Sequence, residues 1–181
     1  MKAHSLYIPG NDNRRMPFGE RIVVSFFAFF GIASALLFFT PSFAGDTAYV
    51  KPTINDKCPI CGMFVAKFPD WTAEVLYRDG TYRVFDGAKD MFKYLANLKK
   101  YEPSRQREDI VNIYVSDYYS VQPIDGYKAY YVTGSNVYSP MGDEFIPFAQ
   151  EVDAREFLKD HAGEKILRFH DITPKVLEEF E

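Results

Sequence analysis

The stretch Trp71 to Leu95, WTAEVLYRDGTYRVFDGAKDMFKYL, carries two hydrophobic periods in succession, and the change between them decides the fold class. From Trp71 to Tyr77 the apolar side chains Trp71, Ala73, Val75 and Tyr77 recur at every second position, which puts them on one face of a β-strand. Asp79-Gly80 is a tight-turn pair, and Tyr82, Val84 and Phe85 open a second strand, so the two make an antiparallel hairpin. The period then lengthens. Ala88, Met91, Phe92 and Leu95 fall at i, i+3, i+4 and i+7, one stripe of a helix, and Asp86 stands where it can cap that helix.

Toward the C-terminus the same order returns. The helix must stop before Pro103, and the charged run 99–109 reads as a linker or surface loop. Val111, Ile113 and Val115 alternate as a strand. Residues 129–132 are strand-like, 138–143 with Pro140 and Gly142 form a loop, and 144–148 are a short extended run. Asp153 and Glu156 fit a capping box, Ala154, Phe157, Leu158 and His161 share one face of the helix it opens, and Gly163 is placed to stop it. Residues 166–169 are a last strand, and Thr173-Pro174 starts a terminal helix over 175–180. The pattern predicts an α+β fold of two similar small ββα-type halves, 45–120 and 121–181, with mostly antiparallel sheets, because the hairpin turns are short and long strand-helix alternation is missing.

Toward the N-terminus, residues 46–57 contain Pro52 and read as an extended lead-in. Before them, Ile22 to Phe39 is an uncharged run of 18 residues, preceded by Arg14, Arg15 and Arg21 and followed by Ser42-Phe43-Ala44 with small residues where a signal peptidase cuts. Residues 1–44 therefore read as an export signal. The run also approaches bilayer-spanning length, so an uncleaved anchor through Ile22–Phe39 is the alternative. The expected location is periplasmic or otherwise extracytoplasmic, at the inner membrane if the segment stays uncut. No cysteine lies near Ala44, so a lipid on a new N-terminal cysteine is not expected.

The 181 residues, 47% of them hydrophobic, suit a globular protein rather than a disordered one. Removing residues 1–44 takes four basic and two acidic residues from 21 Lys/Arg and 25 Asp/Glu, which leaves a net charge of −6. That balance, with no basic stripe interleaved with aromatics, argues against nucleic-acid binding. No Ser-His-Asp order, phosphate loop or paired-carboxylate element supports hydrolysis.

Both cysteines sit in Cys58-Pro59-Ile60-Cys61-Gly62-Met63, a spacing too short for a disulfide to staple a fold. Thiolate and thioether are soft donors of the kind Cu(I) prefers, and Gly62 lets the sulfurs of Cys61 and Met63 turn toward one centre. Three other readings stand beside this one. The pair is half of a zinc site, with only His161 and His170 left to complete it after export, or a redox pair, or an inert disulfide. A redox motif of thioredoxin type belongs at the start of a helix, whereas here a glycine and a methionine follow. Met63 alone serves as readily for packing as for ligation, and Met91 belongs to the helical stripe. Met141, in the turn Ser139-Pro140-Met141-Gly142, is a candidate third sulfur. His161 reads first as a packed histidine at a helix C-terminus, although a neutral imidazole also ligates copper, and His170 reads as a surface residue.

Four separated elements then coincide in order: Cys58 to Lys67, Phe85-Asp86-Gly87-Ala88-Lys89-Asp90-Met91, Pro140 to Glu144 with Ile146-Pro147-Phe148, and Asp160-His161-Ala162-Gly163. Together they resemble NosL, the family of accessory lipoproteins associated with copper supply to nitrous oxide reductase. The resemblance spans nearly all of the chain after residue 44. It implies a Cu(I) chaperone rather than an enzyme, built of two similar ββα halves and related in fold to organomercurial lyase. It places the ligand element at Cys61-Gly62-Met63 and adds Met141 and His161, while Cys58 assists the metal or pairs with Cys61 when copper is absent. The partners implied are a copper-receiving enzyme, nitrous oxide reductase or a similar cuproenzyme, and its assembly proteins. The chain departs from the family in lacking the lipid-attachment cysteine.

Overall fold

Strands β1 (Ala73–Tyr77) and β2 (Tyr82–Phe85) pair antiparallel with Val75 opposite Arg83, and the turn between them closes on Gly80 at φ +80°. The computed structural model describes residues 48–179, so the expected export segment, 1–44, lies outside the described residues. Trp71 does not join β1. It ends a short 3-10 turn, Pro69–Trp71, and the strand starts two residues later. All five residues of β1, an internal strand of the sheet β2-β1-β3-β4, are buried, not just the alternating set, because both faces are covered. On one face Ala73, Val75 and Tyr77 join the core. Opposite, Glu74 Oε2 accepts from the Val50 N–H at 3.0 Å, and the Tyr49 ring sits edge-on to Tyr114, so the lead-in segment covers that side.

Helix α1 (Ala88–Ala96) follows, with Ala88, Met91, Phe92 and Leu95 all buried, as their stripe requires. A single turn, α2 (Leu98–Tyr101), ends at Glu102 before Pro103. Strands β3 (Ile110–Ser116) and β4 (Pro123–Asp125) complete the first sheet. The remaining elements are β5 (Tyr130–Thr133), β6 (Ile146–Phe148), α3 (Glu151–Asp160), β7 (Lys165–Arg168) and α4 (Pro174–Glu178). The second sheet runs β6-β5-β7, again antiparallel throughout. This order repeats β2-β1-β3: in each half the first strand is central, its hairpin or loop partner lies on one side, and the strand after the helix lies on the other. The fold is thus α+β with two similar antiparallel sheets, and β4, which lies beyond the expected boundary at residue 120, pairs with β3 and so extends the first sheet past that boundary.

Two helix starts differ from the local reading. Gly87, not Asp86, is the N-cap of α1, and Asp86 faces elsewhere. Helix α3 begins at Glu151 behind Gln150, so Asp153 lies inside its first turn, where its charge meets the positive end of the helix dipole, and forms no capping box. At the other end of α3 the Gly163 N–H reaches Leu158 O at 2.8 Å, and Ala162 takes the left-handed position at φ +53°.

The larger core joins the halves. Phe85, Met91, Phe92 and Ile113 pack with Tyr131, Phe145 and Leu177, and Phe92 has ring centroids at 5.1 Å from Tyr131, 5.6 Å from Phe145 and 5.3 Å from Phe169. A smaller cluster of Val132, Ile146, Phe148, Ala154 and Phe157 fills the space under α3. Among the described residues no helix is long and apolar enough to cross a membrane.

Candidate metal centre

The Cys58–Met63 segment folds into a closed loop because its ends bond to each other. Cys58 N–H donates to Met63 O, and Gly62 N–H donates to Cys58 O, each at 2.9 Å. Gly62 sits at φ +79°, and open space surrounds the position of a Cβ there, so the requirement for glycine is conformational rather than steric. Lys57 and Phe64, flanking the loop, form an isolated antiparallel bridge. Cys58 enters the core at 1% exposure, while Cys61 is half-buried, and both are free thiols.

Helix α1 meets this loop with two carboxylates. The Cys61 thiol donates to Asp86 Oδ1 at 3.1 Å, and the Cys58 thiol donates to Asp90 Oδ2 at 3.3 Å. Asp86 lies just before the N-cap Gly87 and Asp90 in the first turn of α1, and the two carboxylates reach the same loop. Both are buried, and one ligand atom from each of the four residues lies within 4.8 Å of the others. Among the described residues Asp86 Oδ2 is buried with no hydrogen-bond partner, a lone pair of the kind a cation would satisfy. Burial pushes the Cys61 thiol up to about 12, and the bond to Asp86 adds to the shift. Burial raises Cys58 further, well beyond the usual thiol range, with Asp90 and Asp86 also favouring the protonated form. The centre is therefore a pair of protonated thiols facing two carboxylates, and a cation that entered would displace thiol protons.

The structure gathers the residues named from the sequence unequally. Cys58 and Cys61 converge, and Met63, half-buried, closes their loop through its carbonyl. Met141 is 41% exposed on a turn in which its N–H donates to Ser139 Oγ, and the Lys89 ammonium fastens that turn to α1 by donating to Met141 O at 3.0 Å. This ties the Met141 turn to the first turn of α1, the turn from which Asp90 reaches Cys58. His161 is not brought to the thiol-carboxylate group. Its ring stacks on Phe157 at 4.3 Å, its Nδ1 lies 3.3 Å from Asn136 Oδ1, and it caps α3 over the smaller core. The apolar stripe of α3 faces its own sheet, and the imidazole goes with it.

Asp86 and Asp90 are the residues that sequence reasoning missed. A carboxylate just after a strand reads as a helix cap, and only its spacing of four from a second carboxylate, opposite a Cys-x-x-Cys, offers a signal.

The NosL family model matches residues 49–177. The copper-binding lipoprotein NosL of Stutzerimonas stutzeri is 30% identical over 133 residues, which cover 69% of this chain and 66% of the relative, so the chain spans about two thirds of that protein's length. The crystal structure of the copper chaperone NosL from Shewanella denitrificans superposes with a TM-score of 0.61 at 24% identity, over 71% of this chain and 98% of that one. The solution NMR structure of apo-NosL from Achromobacter cycloclastes gives a TM-score of 0.41 at 26% identity, over 58% and 87% of the two chains.

Proposed function

This chain belongs to the NosL family, and we propose that it is an extracytoplasmic carrier that binds Cu(I) at the Cys58–Met63 loop and delivers it to a copper enzyme, nitrous oxide reductase or a similar one, without itself catalysing a reaction. The observation that carries this reading is the convergence of both thiols and both carboxylates at one end of α1. Sulfur donors select a soft, monovalent ion, and the carboxylates stand ready to take the protons that leave. In the step proposed, Cu(I) bonds to Cys61 sulfur while the thiol proton passes to its hydrogen-bond acceptor, the Asp86 carboxylate. Met63 supplies a neutral thioether, Cys58 a second sulfur, and Met141 completes the open side.

Ligand exchange needs an accessible edge. Cys61 is half-buried and Met141 is exposed, so a partner's ligands replace these first, whereas Cys58 holds the ion from within the core. The rival reading, a thiol-disulfide oxidoreductase, needs an attacking thiol whose pKa is lowered, and both thiols here are raised. The packing of His161 against Phe157 supports a structural role for it in this reading. The test is a Cu(I) competition titration against a chromophoric chelator, comparing the wild type with Cys61→Ser and Met63→Leu. Tight binding should vanish in Cys61→Ser and weaken in Met63→Leu, and unchanged binding in Cys61→Ser removes the proposed site.

A further inference from the structure

Glu144 belongs to the second half, three residues beyond Met141, yet its carboxylate is buried at the N-terminus of α1. Its Oε1 accepts from the backbone N–H of Lys89 at 2.5 Å and from that of Phe145 at 2.9 Å. Gly87 makes the approach possible, since a Cβ there would fall 2.0 Å from Glu144 Oε2. The first N–H groups of a helix lack partners within it, and a side chain just before the helix is their usual acceptor. Asp86 is that side chain by sequence, and with Asp86 as N-cap the Lys89 N–H would be the donor it reached. Glu144 takes this donor instead, and Asp86 turns to Cys61. The four residues between Asp86 and Asp90, inclusive of one end, hold Gly87 and Lys89, the two points at which Glu144 touches the helix. The Lys89 side chain then ties the Met141 turn to the same end.

Building on the Cu(I)-carrier reading, we propose that Glu144 is a positioning residue of the metal centre: by capping α1 from the other half of the molecule it releases Asp86 from capping and holds Asp86 and Asp90 against the two thiols. Residues that orient ligands without touching the metal commonly change affinity by about 10-fold to 100-fold when altered.

The experiment compares the wild-type chain with Glu144→Ala, Glu144→Gln and Gly87→Ala, in which the new methyl group displaces the carboxylate. Cu(I) affinity is read by chelator competition, Cys61 alkylation by iodoacetamide is read in the metal-free chain, and folding is checked by circular dichroism. Glu144→Ala and Gly87→Ala should lose about tenfold or more in affinity and alkylate faster, because Asp86 leaves the thiol. Glu144→Gln keeps the accepting oxygen and should restore both values. Wild-type affinity and alkylation in Glu144→Ala and Gly87→Ala, whatever their melting temperatures, overturn the proposal. If Glu144→Ala does not fold, Gly87→Ala decides alone. A wild-type chain that binds no Cu(I) sinks the carrier reading, and the alkylation rates still decide the role of Glu144.

Discussion

Cys61 retains its proton because burial disfavours the thiolate and the Asp86 carboxylate, 3.1 Å away, disfavours it again. With a folded-state value of about 12, the thiol is protonated throughout the physiological range, and metal binding must expel that proton. Apparent Cu(I) affinity is therefore expected to rise about tenfold per pH unit for each proton released. Competition titrations at several pH values measure this slope, and a flat profile would show that neither thiol ligates. The Cys-Gly-Met element itself is local chemistry. Its sulfurs, and the left-handed turn that Gly62 allows, follow from adjacent residues and were legible without any knowledge of packing.

Among the elements, α3 shows how local rules operate and where they stop. Its apolar face is read from spacing and is buried as read, at Ala154 and Phe157. Its C-terminal turn places Ala162 in the left-handed region at φ +53°, where an L side chain is strained and glycine is not. Ala162→Gly should stabilise the chain by about 1 kcal/mol, seen as a higher melting temperature. Its methyl group is on an exposed residue, so no packing is lost in exchange. Helix α1 is the contrasting element. Its apolar stripe is also local, but its cap is not, since the acceptor at Lys89 N–H arrives from 55 positions further along the chain. No pattern around Asp86 signals that a distant Glu144 will displace it.

At the scale of the molecule, two of the buried carboxylates couple stability to pH: Glu144, held at the start of α1, and Glu74, under the lead-in segment. Burial pushes Glu144 to about 7 despite its two backbone N–H donors, and burial pushes Glu74 to about 7 despite the Val50 N–H. In the unfolded chain both titrate near 4.5. Between these values the folded state binds more protons than the unfolded state, so stability rises as pH falls through about 7 toward the unfolded value, opposite in sign to a salt-bridged carboxylate. Each group should contribute about 1 kcal/mol between roughly pH 8 and 6. Chemical denaturation across that range measures it, and Glu74→Gln and Glu144→Gln should each flatten the dependence. A stability that climbs with pH in the wild type would contradict this assignment.

The residues themselves determined what depends on neighbours along the chain: the hairpin across Asp79-Gly80, the stripes of α1 and α3, and the soft-donor loop at Cys58 to Met63. Those features arise from turn geometry, helical and strand periods, and bonding between residues a few positions apart. Only the tertiary structure decided that β1 is enclosed on both faces, that Asp86 and Asp90 meet the thiols, that His161 packs on Phe157, and that Glu144 caps a helix in the other half. Each of these turns on which of several competing partners a polar or aromatic group finds once the two sheets close over a shared core, and that competition is settled by distance in space rather than by separation in sequence.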